Sequence, residues 1–145
     1  MSRGIEWWDH WFLGMSEYVS TASKDPSTKV GAVIVDKNRR VVSVGYNGLP
    51  QKIKDLSERL NNRELKIRTI IHGEINALLF ANSSVEGCTL YTFPFMPCGQ
   101  CCSMFIQAGI GRIVSLLSTN ERWVRDFEIT QGLCKEAQVE LKLYG

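Results

Sequence analysis

Three of the chain's five cysteines crowd into "PCGQCC", residues 97–102. Thiols clustered this way can form a disulfide, a redox couple, a metal site or part of a core, and each reading needs different residues elsewhere. Two histidines are available. His10 stands between acidic and aromatic neighbours in "EWWDHWF" with nothing ligand-like beside it, as a surface or interface histidine would. His72 follows an apolar run in "TIIHGEINALLF" and precedes Glu74 by two positions. Residues i and i+2 do not share a helix face, so His72 and Glu74 can address one spot only where a helix begins. "PCGQC" reads as a helix start too, with Cys98 near the first turn and Cys101 one turn on. Free amides and the helix dipole favour thiolates there.

Two thiolates and an imidazole suit Zn2+, and three protein ligands leave a fourth position for water, the arrangement of a catalytic site. Glu74 beside that water would act as general acid and base. The order H-x-E and then P-C-x-x-C is the signature of zinc-dependent nucleobase deaminases, and both halves are present. Spacing leaves Cys101 and Cys102 both open as the second sulfur, since i+3 and i+4 both lie one turn from Cys98. Cys102 shares a face with Phe105, Ile106 and Gly109, as a small core residue would. Cys88 and Cys134 read as core cysteines. A thiol-disulfide oxidoreductase is the rival from another class, because "CGQC" after a strand and opening a helix is its redox motif. That motif works with a proline downstream, whereas Pro26, Pro50, Pro94 and Pro97 all precede Cys98. A zinc-stabilised binding module, with Cys88 or Cys134 closing the tetrahedron, is the second rival.

The elements that must position these groups follow from periodicity. Ile5, Trp8, Phe12, Met15, Val19 and Ala22 form one apolar stripe of a helix over residues 5–22, with Trp7, Trp11 and Tyr18 as a second stripe that could meet another subunit. "VGAVIVD" and "VVSVGY" read as a hairpin around "KNRR". "QKIKDLSERLNNRELKIR" reads as a solvated, largely basic helix with Asp55–Arg59 and Glu64–Arg68 pairs. Helix and strand then alternate: "GEINALLFA", "TLYTF", "CGQCCSMFIQAG", "RIVSLL", "ERWVRDFEITQGLCKEA" and "VELKLY". Strands separated by such helices pair in parallel. The expected fold is a three-layer α/β/α sandwich around a mixed five-stranded sheet, an N-terminal hairpin plus a parallel β-α-β-α-β half. Residues 1–145 suit a single domain. With 44 % hydrophobic and 22 % charged residues the composition is globular, and a net charge of +2 demands no polyanion. Glu6, Asp9 and His10 occupy the stretch where a secretory signal needs an apolar run, and no segment approaches the ~20 residues of a membrane span. A cytoplasmic protein with reduced thiols is expected.

Beyond these readings, "DPSTKVGAVIV", "GYNGLP", "HGEINALLFA", "GCTLY" and "PCGQCC" resemble the deoxycytidylate (dCMP) deaminases of the cytidine deaminase superfamily, across most of residues 24–110. The resemblance implies a cytidine deaminase-like fold and hydrolysis of dCMP to dUMP. It assigns His72, Cys98 and Cys101 to zinc, choosing Cys101 over Cys102, Glu74 to proton transfer and Asn47 to the sugar, with the Gly73 amide available to substrate. It also implies a hexamer activated by dCTP with Mg2+ and inhibited by dTTP. Lys29, Arg68 and Arg122 are candidates for the phosphate, and nucleic acid is a less favoured substrate. The chain departs from the family pattern at Gly73 and Cys102, where alanine is usual, and "LYTFPFMPC" is one residue longer than the pattern.

Overall fold

Ile5–Ser20 (α1) precedes a hairpin of Gly31–Val35 (β1) and Val41–Tyr46 (β2). Ser57–Leu60 (α2), Arg63–Thr69 (α3) and Gly73–Leu79 (α4) lead to Thr89–Phe93 (β3), after which Gly99–Gln107 (α5), Arg112–Leu116 (β4), Val124–Ala137 (α6) and Glu140–Tyr144 (β5) alternate. A 3-10 turn, Glu121–Trp123, opens onto α6. The computed structural model describes residues 2–145. The strands form one sheet in the order β2-β1-β3-β4-β5. β1 runs antiparallel to β2 and β3, whereas β3, β4 and β5 are parallel. The expected mixed sheet, hairpin plus parallel half, is the observed one.

Strand side chains alternate between two cores. Val33, Val35, Tyr91 and Val114 face Phe12 and Leu13 of α1. Ala32, Ile34, Leu90 and Ile113 face Ala77 of α4, Cys102 and Phe105 of α5 and Cys134 of α6. All five residues of β1 are buried, which is why its sequence is a continuous apolar run and not an alternation. The layers are therefore α1, the sheet, and α4 to α6.

Two expectations are corrected. The buried face of α1 is Asp9, Phe12, Leu13, Ser16 and Ser20, while Ile5 is exposed and Ala22 lies beyond the helix. Trp8, Met15 and Val19 of the predicted stripe are partly buried and do pack against the core beside Phe12. The cause is close packing on β1: a Cβ at Gly31 would strike the Ser16 carbonyl oxygen and lie 2.6 Å from the Ser20 amide nitrogen, so small serines face the strand. The basic segment is not one helix either. It breaks at Asn61 and Asn62, where the Asn62 side chain caps α3 by accepting the Leu65 amide at 3.1 Å. Asp55 pairs with Lys24 and not with Arg59, and the Glu64–Arg68 pair spans an exposed 3.9 Å.

Candidate active site

His72 is the N-cap residue of α4 and Glu74 lies in its first turn. The approach to His72 is fixed by a two-way backbone bridge, Gly48 N–H to Ile71 C=O at 3.1 Å and Ile71 N–H to Gly48 C=O at 2.8 Å. α4 then lies directly on β2 because Gly45 has no Cβ; one there would strike the Ala77 amide and the Gly73 carbonyl. Cys98 is the N-cap residue of α5, and Cys101 sits in its first turn. The loop before Cys98 is tied at both ends. Thr92 Oγ1 donates to the Phe95 carbonyl at 2.8 Å, and Thr130 Oγ1 of α6 donates to the Pro97 carbonyl at 2.7 Å.

Two helix starts thereby meet. His72 Nδ1 lies 3.2 Å from Cys101 Sγ and 3.6 Å from Cys98 Sγ, and the three ligand atoms all fall within 4.8 Å of one another. A tetrahedral zinc with ordinary Zn–S and Zn–N bonds would separate imidazole nitrogen from sulfur by roughly 3.6 Å, so this donor set fits zinc in both chemistry and spacing. Cys102 turns away. Its Sγ is 3.6 Å from that of Cys134 in the core, and this hydrogen bond together with burial pushes its thiol up. Neither Cys134 nor Cys88 belongs to the metal-type cluster, so the binding-module reading has no fourth cysteine.

The electrostatics suit metal capture. The Cys98 thiol is brought down to about 4, chiefly by the hydrogen bond with the Cys101 thiol and, against burial, by His72 and the Cys101 backbone amide. Cys101 is pushed up by the same bond and by burial. The hydrogen bond with Cys98 raises the His72 imidazole against its partial burial, with Glu74, Cys98 and Asp126 adding to the effect. Burial raises the Glu74 carboxyl above the usual carboxylate range, and that side chain hydrogen-bonds to no other described side chain. Its one backbone hydrogen bond, at its own amide, opposes that rise, and a buried carboxyl raised in this way is suited to exchanging a proton.

His72, Glu74 and Cys98 line a cavity of about 440 Å3. Ile67 and Ile70 of the α3 region line it together with Phe95, Trp123 and Phe127, whose rings cluster with centroids 5.7 Å (Phe95–Trp123) and 5.5 Å (Phe95–Phe127) apart. Asn47 and Arg122 also line it. Lys29 and Arg68 are exposed and do not, and Arg68 pairs instead with Glu64. Gly73 is buried at the first position of α4; a Cβ there would lie 3.2 Å from the Val30 carbonyl and 3.3 Å from the Asn47 amide nitrogen. Asn47 is largely committed to the fold: its Oδ1 accepts the Val30 amide at 2.8 Å and its Nδ2 donates to the Thr28 carbonyl at 2.8 Å. Sequence reasoning missed Arg63, Lys66, Asp25, Trp123 and Phe127. The two cations belong to the basic segment read as a solvated helix, and only its docking over the cavity distinguishes them.

Residues 6–117 match the family model of the cytidine and deoxycytidylate deaminase zinc-binding region. The chain belongs to this family. It is 39% identical over 140 residues to the uncharacterized deaminase of the luxG 3′ region of Aliivibrio fischeri, covering 94% of this chain and 93% of that protein. With human deoxycytidylate deaminase it shares 36% identity over 113 residues, 74% of this chain and 63% of the human one, so it spans about three fifths of that relative. Among solved structures, the dCMP deaminase of cyanophage S-TIM5 in complex with dCMP and dUMP has the same fold, with a TM-score of 0.76 at 24% identity over 98% of this chain and 99% of that one. No helix among the described residues is long and apolar enough to cross a membrane.

Proposed function

We propose that this chain is a zinc-dependent hydrolase that converts dCMP and water to dUMP and ammonia. The observation that carries the reading is the meeting of His72, Cys98 and Cys101 beside a buried Glu74 at one cavity. Zinc held by His72, Cys98 and Cys101 would supply Lewis acidity and a water that is acidic near neutral pH. Glu74 accepts a proton from the water that attacks C4 and delivers it to N3, then takes the second proton from the new C4 hydroxyl, as C4=O forms, and passes it to the departing amine. The C4–O bond forms, the C4–N bond breaks, and the carboxylate ends the cycle in its starting state. Phe95, Trp123, Phe127 and Ile70 exclude bulk water from that exchange. The second lone pair of Asn47 Oδ1 is available to a sugar hydroxyl, while its other hydrogen bonds hold the group still. Arg122 lines the cavity, which supports reading it as a partner of the 5′-phosphate.

The family likeness further supports a single deaminase domain over residues 1–145, a cytoplasmic location, and a hexamer regulated by dCTP with Mg2+ and by dTTP. The exposed Trp7, Trp11 and Tyr18 on α1 are compatible with subunit contact. Ammonia release from dCMP, CMP, deoxycytidine and a cytosine-containing oligonucleotide, with and without dCTP, tests the assignment. dCMP is expected to have the highest kcat/KM. Equal values for dCMP and deoxycytidine would point to a nucleoside enzyme, and preference for the oligonucleotide to a nucleic-acid deaminase.

A further inference from the structure

Three cations line the cavity, Arg63, Lys66 and Arg122. They are not equally available to a ligand. Lys66 Nζ lies 3.0 Å from Asp25 Oδ1 and 3.2 Å from Ser27 Oγ, with only 11% of the Lys66 side chain and 7% of the Asp25 side chain exposed. The same Asp25 Oδ1 accepts the Ser27 amide at 2.8 Å, and Asp25 Oδ2 lies 3.4 Å from Asn47 Nδ2. Lys66 is therefore the counter-ion that ties α3 to the loop before β1, and its charge is spent inside the protein. Arg63 makes no ion pair with any described residue, and neither does Arg122, whose guanidinium lies 5.1 Å over the Trp123 ring. The two guanidiniums stand on different elements, Arg63 at the start of α3 and Arg122 in the 3-10 turn before α6. Of the acidic residues lining the cavity, Asp25 is already neutralised, while Glu74 and Asp126 act on His72 at the metal end.

We infer that Arg63 is a specificity-determining residue that grips the 5′-phosphate of the substrate together with Arg122, while Lys66 braces the wall and leaves the phosphate alone. This rests on the reading of the site as a dCMP deaminase. A phosphomonoester carries about −1.5 to −2 at neutral pH, which two unpaired guanidiniums match, and each can donate two N–H bonds to phosphate oxygens. Asp25, which lines the same cavity, is held by Lys66.

Substrate comparison separates phosphate recognition from folding. Arg63→Ala is expected to lower kcat/KM for dCMP ten- to a hundredfold, the range of a charge-assisted hydrogen bond, through KM, and to leave deoxycytidine turnover within twofold of the parent. Arg63→Lys should recover part of the loss. Lys66→Ala should impair dCMP and deoxycytidine alike, because it unpairs the buried Asp25. Equal loss on both substrates with Arg63→Ala, or no loss on dCMP, overturns the assignment, as does a dCMP-only loss with Lys66→Ala. A parent protein that fails to deaminate dCMP while turning over another cytosine substrate refutes the function reading itself, and the phosphate assignment with it.

Discussion

Glutamine differs from glutamate by almost no volume, so Glu74→Gln isolates proton transfer from everything else the residue does. The variant is expected to fold, to bind one zinc per chain and to retain dCMP affinity, while kcat falls by about 10⁴-fold or more, the upper end for a positioned acid-base group used at several transfers. Metal content, affinity and kcat measured on one preparation check this. Activity within tenfold of the parent would remove Glu74 from the mechanism. At the neighbouring helix start, Cys101→Ser should lose zinc and Cys102→Ala should keep it. The latter should cost about 1–2 kcal/mol of stability by leaving a small cavity beside Cys134. Metal analysis of the two proteins decides between the sulfurs. Spacing left both open because i+3 and i+4 lie on the same turn; the structure separates them, since only Cys101 turns toward His72 Nδ1.

At the scale of an element, α1 is held by a buried carboxylate. Asp9 is fully buried, accepting the Tyr91 hydroxyl at 2.8 Å, the Tyr144 hydroxyl at 2.6 Å and a two-point contact from Arg112 at 2.6 and 2.7 Å. These partners come from β3, β5 and β4, so one side chain ties the helix to three strands. Burial alone would raise the Asp9 carboxyl, but the bonds from Arg112, Tyr144 and Tyr91 outweigh it and hold it below the ordinary 3.8. A carboxyl lowered by folding contributes stability above its unfolded value, and that contribution is lost as pH falls through the folded value. Asp9→Asn should therefore cost roughly 3–5 kcal/mol at neutral pH, the usual cost of breaking a buried pair. Denaturant melts at falling pH should show the parent and the variant converging below pH 3.8. A gap that stays constant into acid would mean that shape rather than charge holds α1. The apolar stripe predicted for this helix missed the clamp because periodicity scores Asp9 as a surface residue; only its three partners, 82 to 135 residues away, bring it inside.

For the whole molecule, the two cores lie on either side of the sheet, and His72 and Cys98 belong to neither. Removing zinc with a chelator should therefore abolish activity while leaving the sheet and a cooperative thermal transition, with Tm lowered by loss of the ligand's binding energy. Circular dichroism and scanning calorimetry before and after chelation, followed by zinc return and an activity assay, check this. Global unfolding on chelation would make the metal structural, as in domains that fold only around it.

The local chemistry was legible from residue type and spacing. His72 and Glu74 two apart, and Cys98 and Cys101 three apart, make sense together only at helix starts, and that is where they lie. The mixed sheet was legible for a similar reason, because the alternation of strand and helix after residue 72 leaves parallel pairing as the short connection. Tertiary structure alone decided which polar groups are spent and which are free. Lys66 and Arg63 are three residues apart on one basic helix, yet docking of that helix pairs Lys66 with Asp25 and leaves Arg63 facing the cavity. No local pattern records this, since a charge's availability depends on partners that the fold brings from distant parts of the chain.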